Sequence, residues 1–202
     1  VPVVCVERNI LGSGIDSVEF RDREAIFKGA DYLLASGHKN VLFFRESTDS
    51  TTRDERTKGF LSALRKYNIN TNDANIVDVT LENGEDDCML VIQKALRRYR
   101  PTAVLAGGNR ITLYLMKTLR DMGIDCPGEI SVVGFGDESW SELTYPPLTI
   151  IRRDVKGLST KAVGMLFEKI NTGAVISHDC YADVELVVRK STKMLDNGPF
   201  GD

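Results

Sequence analysis

Ile130-Ser-Val-Val-Gly-Phe-Gly-Asp-Glu-Ser-Trp-Ser-Glu-Leu-Thr-Tyr-Pro-Pro-Leu-Thr-Ile-Ile-Arg-Arg-Asp-Val155 decides the reading of this chain. An apolar run from Ile130 to Phe135 reads as a buried strand and ends in a glycine-flanked acidic turn, Gly134-Phe-Gly-Asp137. A polar loop and Pro146-Pro147 follow, then a β-branched run into Arg152 and Arg153. Two strands that deliver polar groups to one sheet edge make a crevice. In open parallel α/β sheets, ligands bind outside the carboxyl ends of the strands.

The pattern repeats outward from there. Apolar runs at 3–6, 17–20, 41–44, 76–79, 103–106 and 149–151 read as strands, and 181–188 alternates like a last one. Helical periodicity covers 23–35, 110–122 and 155–170, with Asp22 expected as the N-cap of the first. Thr52-Arg-Asp-Glu55 has the form of a capping box for a helix reaching about Tyr67. A helix opened by Glu85-Asp-Asp should place Val91, Ile92, Ala95 and Leu96 on one stripe, with Pro101 just beyond it. Strands separated by helices imply βαβ units and a parallel sheet.

The chain has 202 residues, 42% hydrophobic and 27% charged, which suits one large or two small globular domains. No run has the roughly 18 apolar residues of a membrane span. A net charge of −3 without a Lys/Arg block argues against a DNA-binding module within these residues. Four cysteines without CxxC spacing point to neither metal nor disulfide and favour a reduced, cytoplasmic setting. The start, Val1-Pro-Val-Val-Cys-Val6, has no initiator Met and no signal-peptide character, so the chain is expected to begin inside a domain.

Arg53 and Arg56 share the helical sector of Phe60, Leu64 and Tyr67, which is the inward stripe. Buried guanidinium needs a partner. An anionic ligand at the helix N-terminus and an internal carboxylate both satisfy that need. Glu7 and Arg8, Asn109 and Arg110, Asp137, and Arg152 and Arg153 each follow an expected strand end, so they can converge on one crevice. For Asn109 and Asp137, a helix-cap role is an equal alternative. Trp140, the only tryptophan, either stacks on a ligand ring or packs beneath the Pro146-Pro147 turn. His38, after Gly37, should cap backbone in a turn, and His178 lies far from it in sequence. The chain contains no GxGxxG after a strand, no GxxxxGK[ST] loop and no nucleophile elbow, so no enzyme chemistry and no cofactor are expected.

Five segments, in order, resemble the effector-binding domain of the LacI/GalR family of bacterial transcription repressors. They are Val1-Pro-Val-Val-Cys-Val-Glu-Arg8, Asp22 with Leu33-Leu-Ala-Ser-Gly-His-Lys-Asn-Val41, Thr52-Arg-Asp-Glu-Arg-Thr-Lys-Gly-Phe60, Pro101-Thr-Ala-Val-Leu-Ala-Gly-Gly-Asn109, and the stretch quoted at the outset. The resemblance implies two α/β lobes of the periplasmic-binding-protein-like type, joined by three crossovers, with the effector between them. Residues 22–151 and 183–202 would form a complete C-lobe, and 1–21 and 152–182 part of the N-lobe. The amino-terminal helix-turn-helix would lie outside this chain, which would touch operator DNA only through it. The implied effector-binding residues are Glu7, Arg53, Arg56, Asn109, Asp137, Trp140 and Arg153. The implied homodimer would use Leu113 and Tyr145. Gly136 stands where the family usually carries a sugar-binding Asp, and Gly108 where Asn is common, while Arg56 is kept. The expected effector is therefore a sugar phosphate or sugar acid ahead of a plain sugar, and no membrane partner is expected. The alternative is a periplasmic-type solute-binding protein for sugar uptake.

Overall fold

The computed structural model describes residues 1–7, 10, 13–48, 51–71, 75–173 and 180–195. Arg8, His178 and the tail from residue 196 lie outside the described residues. Two sheets organise the chain. The smaller is parallel, in the order β1 (Val4–Val6), β2 (Asp16–Phe20), β8 (Cys180–Ala182). The larger has six strands in the order β4 (Asn75–Val79), β3 (Val41–Glu46), β5 (Ala103–Ala106), β6 (Ser131–Phe135), β7 (Thr149–Arg153), β9 (Val184–Val187). Its pairings are parallel except for β7 with β9.

Among the described residues the chain passes between the sheets three times, at 20–22, 153–155 and 182–184. The expected last strand is therefore two strands, β8 and β9, in different sheets. Arg152 and Arg153 extend β7 in the larger sheet, opposite Glu185 and Val184.

Period-two alternation gives the large sheet two cores. Val41, Phe43, Leu105, Val133 and Ile151 face α1 (Asp22–Ala35) and α2 (Thr51–Lys66), meeting Ile26, Leu33, Phe60 and Leu64. Leu42, Phe44, Val104 and Val132 face α3 (Glu85–Tyr99) and α4 (Asn109–Met122), meeting Ile92, Leu96, Ile111 and Leu115. The α3 stripe is Cys88, Ile92, Ala95 and Leu96. Val91, expected there, is exposed because Cys88, one turn before Ile92, takes the inward place. A short helix, α5 (Trp140–Leu143), follows β6. On the small sheet lies α6 (Val155–Thr172), capped by Asp154, whose Oδ1 accepts from the Gly157 N–H.

Two expected caps differ. Asp22 is the first residue of α1, not its cap, because its carboxylate turns to Arg56. Helix α2 starts at Thr51, so Thr52 lies inside it and the capping box does not form there.

His38 does more than close a turn. Its Nδ1 lies 3.0 Å from the Thr102 hydroxyl and its Nε2 3.1 Å from the Lys193 carbonyl, fastening the carboxyl-terminal segment beneath β5 and β6. Burial is the main cause that holds its imidazole pKa below the ordinary value; the Lys193 carbonyl opposes it and the Lys193 charge adds to it. The fold thus prefers the neutral ring. The unfolded chain binds the proton first, from about pH 6.5 downward. The His38 contribution to stability is full above that pH and is lost as the pH falls through the lower folded-state value. The melting temperature should drop between pH 7.5 and 5.5, and His38→Gln should flatten that slope. An unchanged slope would assign the loss to other groups.

Candidate functional site

The carboxyl ends of both sheets meet at a cleft of about 290 Å³. The small sheet contributes Glu7, just past β1, and Phe20, the last residue of β2. Strand ends of the large sheet contribute Glu46, Phe135 and Arg153. The first two turns of α2 add Thr52 and Arg56, the first turn of α4 adds Asn109 and Arg110, and α1 adds Asp22. Parallel topology explains the convergence, since within each sheet the parallel strands bring their carboxyl ends and the following helix N-termini to one edge.

Arg56 is 9% exposed. Its Nε donates to Asp22 Oδ1 at 2.7 Å and its Nη1 to the Gly107 carbonyl at 2.6 Å. The guanidinium lies 4.3 Å above the Phe135 ring centre. Of the two open readings of Arg56, the internal carboxylate partner is thus present, and the same group also lines the cleft. Arg153 is its counterpart. Its Nη1 donates to Glu7 Oε1 at 3.0 Å, spanning the two sheets, and it sits 4.6 Å from the Phe20 ring centre and 5.4 Å from that of Phe135. Glu7 holds a left-handed backbone, φ +62°, uncommon for a residue with a side chain. Arg110 donates to the Tyr114 hydroxyl at 3.1 Å, which foremost holds its guanidinium pKa above the usual value.

Among the described residues, two buried atoms here have no hydrogen-bond partner, Arg153 Nε and Asn109 Oδ1. The Asn109 amide donates from Nδ2 to Glu138 at 2.9 Å. Buried polar atoms of this kind call for a partner. Gly136 flanks Asn109 at φ +82°, a backbone that disfavours any side chain, and a Cβ there would lie 3.1 Å from Asn109 Cβ.

Three expected residues do not line this cleft. Arg53 turns to Asp54, with Nη2 3.2 Å from Oδ1, because the inward face of α2 is taken by Arg56, Gly59 and Phe60. Asp137 is held in an ion cluster. Arg152 Nε and Arg189 Nη2 donate to it, the latter at 3.0 Å, as does the Ser141 hydroxyl at 3.0 Å. Burial works against its charge, but these bonds keep its carboxyl below the usual carboxylate range. It lines a neighbouring cavity with Arg152 and Glu185. Trp140 opens α5 and packs half-buried against the α3–α4 core. Of the expected dimer residues, Leu113 packs partly on that same core and Tyr145 is fully exposed. Sequence reasoning missed Phe20, Glu46 and Leu81 as lining residues, and Arg189 as the second cation on Asp137.

A roomier cavity of about 690 Å³ shares Phe20, Asp22 and Thr52 but opens along the outer side of α1 and α2, toward Arg23, Phe27, Glu55 and Ser62. The smaller cleft is the better candidate, because the strand ends and the unpartnered polar atoms gather there and not in the larger space.

The model of the periplasmic binding protein-like domain matches residues 30–192. The chain belongs to this family. An arabinose metabolism transcriptional repressor of Geobacillus stearothermophilus is 27% identical over 200 residues, 96% of this chain and 54% of that protein. The HTH-type transcriptional repressor PurR of Vibrio vulnificus is 27% identical over 197 residues, 97% of this chain and 58% of that protein. The chain thus spans little more than half the length of these curated relatives, both transcriptional repressors. The solved structure of a LacI family transcriptional regulator from Enterococcus faecium, with bound ribose, superposes with a TM-score of 0.87. It is 20% identical, with 96% of this chain and 72% of that one covered, and at that identity it shows the fold alone. No helix among the described residues is long and apolar enough to cross a membrane.

Proposed function

We propose that residues 1–202 are the effector-binding and dimerisation part of a LacI-type transcription regulator, and that the effector is a small sugar-like metabolite bound in the cleft between the two sheets. One observation carries this reading: the cleft is built from both sheets and leaves Arg153 Nε and Asn109 Oδ1 without partners among the described residues. A hydroxyl both donates and accepts, so a polyol fills both. The volume is near the lower end of small-molecule sites, suited to a monosaccharide. We further propose that residues 1–21 and 152–182 belong to one lobe and 22–151 with 183–202 to the other, β7 running two residues across that border. The Arg153–Glu7 pair spans the two sheets at that border. An effector that binds one arrangement of the lobes better than the other shifts the population toward it, with no bond made or broken. With their net charge of −3, these residues are poorly suited to hold DNA, so operator contact is assigned to another part of the regulator. The relatives, being repressors, support this over uptake of a solute.

A sugar phosphate or sugar acid is the second reading, favoured by the guanidinium groups of Arg56, Arg110 and Arg153. Against it, Glu7, Asp22 and Glu46 line the same cleft and balance that charge. Calorimetry of the full-length protein against neutral pentoses and hexoses tests the reading. The expected result is saturable one-site binding to at least one of them. Sedimentation of the same preparation should show a dimer, with Leu113 on α4 and the exposed Tyr145 as candidate contacts. Heatless titrations with every sugar, or a monomer at high concentration, would refute the corresponding half.

A further inference from the structure

Three carboxylates and three guanidinium groups line the cleft, and most are already matched. Asp22 takes Arg56, and Glu7 takes Arg153. Arg110 is occupied by the Tyr114 hydroxyl and reaches the Leu81 carbonyl at 3.5 Å. Glu46 is the exception. Its carboxylate makes no hydrogen bond or ion pair with any described residue, and it is half-buried at the end of β3. Alternation along β3 explains its direction. Arg45 points to the other face, donating from Nε and Nη2 to Asp78 at 2.6 and 3.1 Å and from Nη1 to the Thr57 hydroxyl. Glu46 takes the face of Phe44, where Leu81 and Arg110 stand.

We infer that Glu46 is the specificity-determining residue of the cleft, accepting from an effector hydroxyl and excluding phosphorylated or carboxylated sugars. This rests on the sugar-class reading above and narrows it. A carboxylate has only acceptors to offer. Asn109 Oδ1, nearby in the same cleft, offers another. A phosphate or carboxylate also carries acceptors only, so it cannot satisfy either oxygen and meets like charge at Glu46. A sugar hydroxyl can donate to both. Glu46 also supplies the third negative charge that offsets Arg110, the cation that would otherwise draw an anion into the cleft.

The test titrates the full-length protein with matched pairs: ribose and ribose 5-phosphate, glucose and glucose 6-phosphate, fructose and fructose 6-phosphate. The neutral member of the binding pair should be favoured in the wild type. Glu46→Gln, which keeps the shape and removes the charge, should weaken the neutral sugar about tenfold and narrow the preference over its phosphorylated partner. Glu46→Asp, which keeps the charge, should retain the discrimination. A preference unchanged in Glu46→Gln overturns the role of Glu46 and leaves the sugar reading standing. So does a wild type that favours the phosphorylated member. Absence of binding to every member of every pair overturns the sugar reading and this inference together.

Discussion

Replacing Arg56 by alanine should cost about 3–5 kcal/mol of stability, the range for removing one partner of a buried ion pair. At roughly 2–4 °C per kcal/mol for a chain of this size, the melting temperature should fall by on the order of 10 °C. The cause is what stays behind. The Asp22 side chain is 12% exposed and would keep its charge without its 2.7 Å partner. The Gly107 carbonyl would lose its 2.6 Å donor, and Phe135 the guanidinium that covers its ring. Combining Arg56→Met with Asp22→Asn should recover part of the loss, since no buried charge is then stranded. The two substitutions should therefore be non-additive in a double-mutant cycle. A melting temperature within a degree or two of wild type for Arg56→Ala would show that water already reaches Asp22 and that the pair contributes little.

The same residue shows what the sequence could and could not disclose. Its place on the inward stripe with Phe60 and Leu64 follows from helical spacing alone. Its partner does not, because Asp22 lies 34 residues away and read locally as a helix cap. The partners of Asp137 were hidden in the same way. A charge after a strand end looks available to a ligand, but Arg189, 52 residues on, and Arg152 answer it inside the fold. Pairing between distant charges has no local signature, whereas burial has one. The inner strands β5 and β6 and the first four residues of β3 were legible because they are covered on both faces and read as largely apolar runs. Where polar residues extend a strand, the reading stopped short. The apolar run ended at Phe44 while β3 continues to Glu46, so Glu46 was not seen at the cleft. Residues 181–188 alternate without a break, yet Asp183 separates two strands that join different sheets, one of them antiparallel. Glu7, Arg56, Asn109 and Arg153 reach the cleft for the reason foreseen, since a parallel sheet gathers its carboxyl ends at one edge.

Gly59→Ala should be the second severe substitution, although alanine is normally the better helix former by about 1 kcal/mol. Gly59 lies on α2, three residues after Arg56, where α2 crosses α1. A Cβ there would stand 2.3 Å from the Arg23 carbonyl oxygen, 3.1 Å from its carbon and 3.2 Å from the Phe27 nitrogen. All three are backbone atoms of a helix, so no rotamer change relieves the contact and one helix must move. Overpacking of this kind costs about 1–3 kcal/mol or more. Moving α1 away from α2 also stretches the Asp22–Arg56 pair, which joins the same two helices at that end. The net loss should be about 3 kcal/mol, read as a lower urea midpoint with an unchanged slope. Gly164→Ala on α6 is the control of opposite sign. Nothing lies within 4 Å of its added methyl, so propensity alone acts and stability should rise by up to about 1 kcal/mol. If both substitutions stabilised the protein equally, α1 and α2 would have to lie farther apart in solution than the Arg23–Gly59 approach requires, and the tight helix crossing that positions Asp22 beneath Arg56 would be wrong.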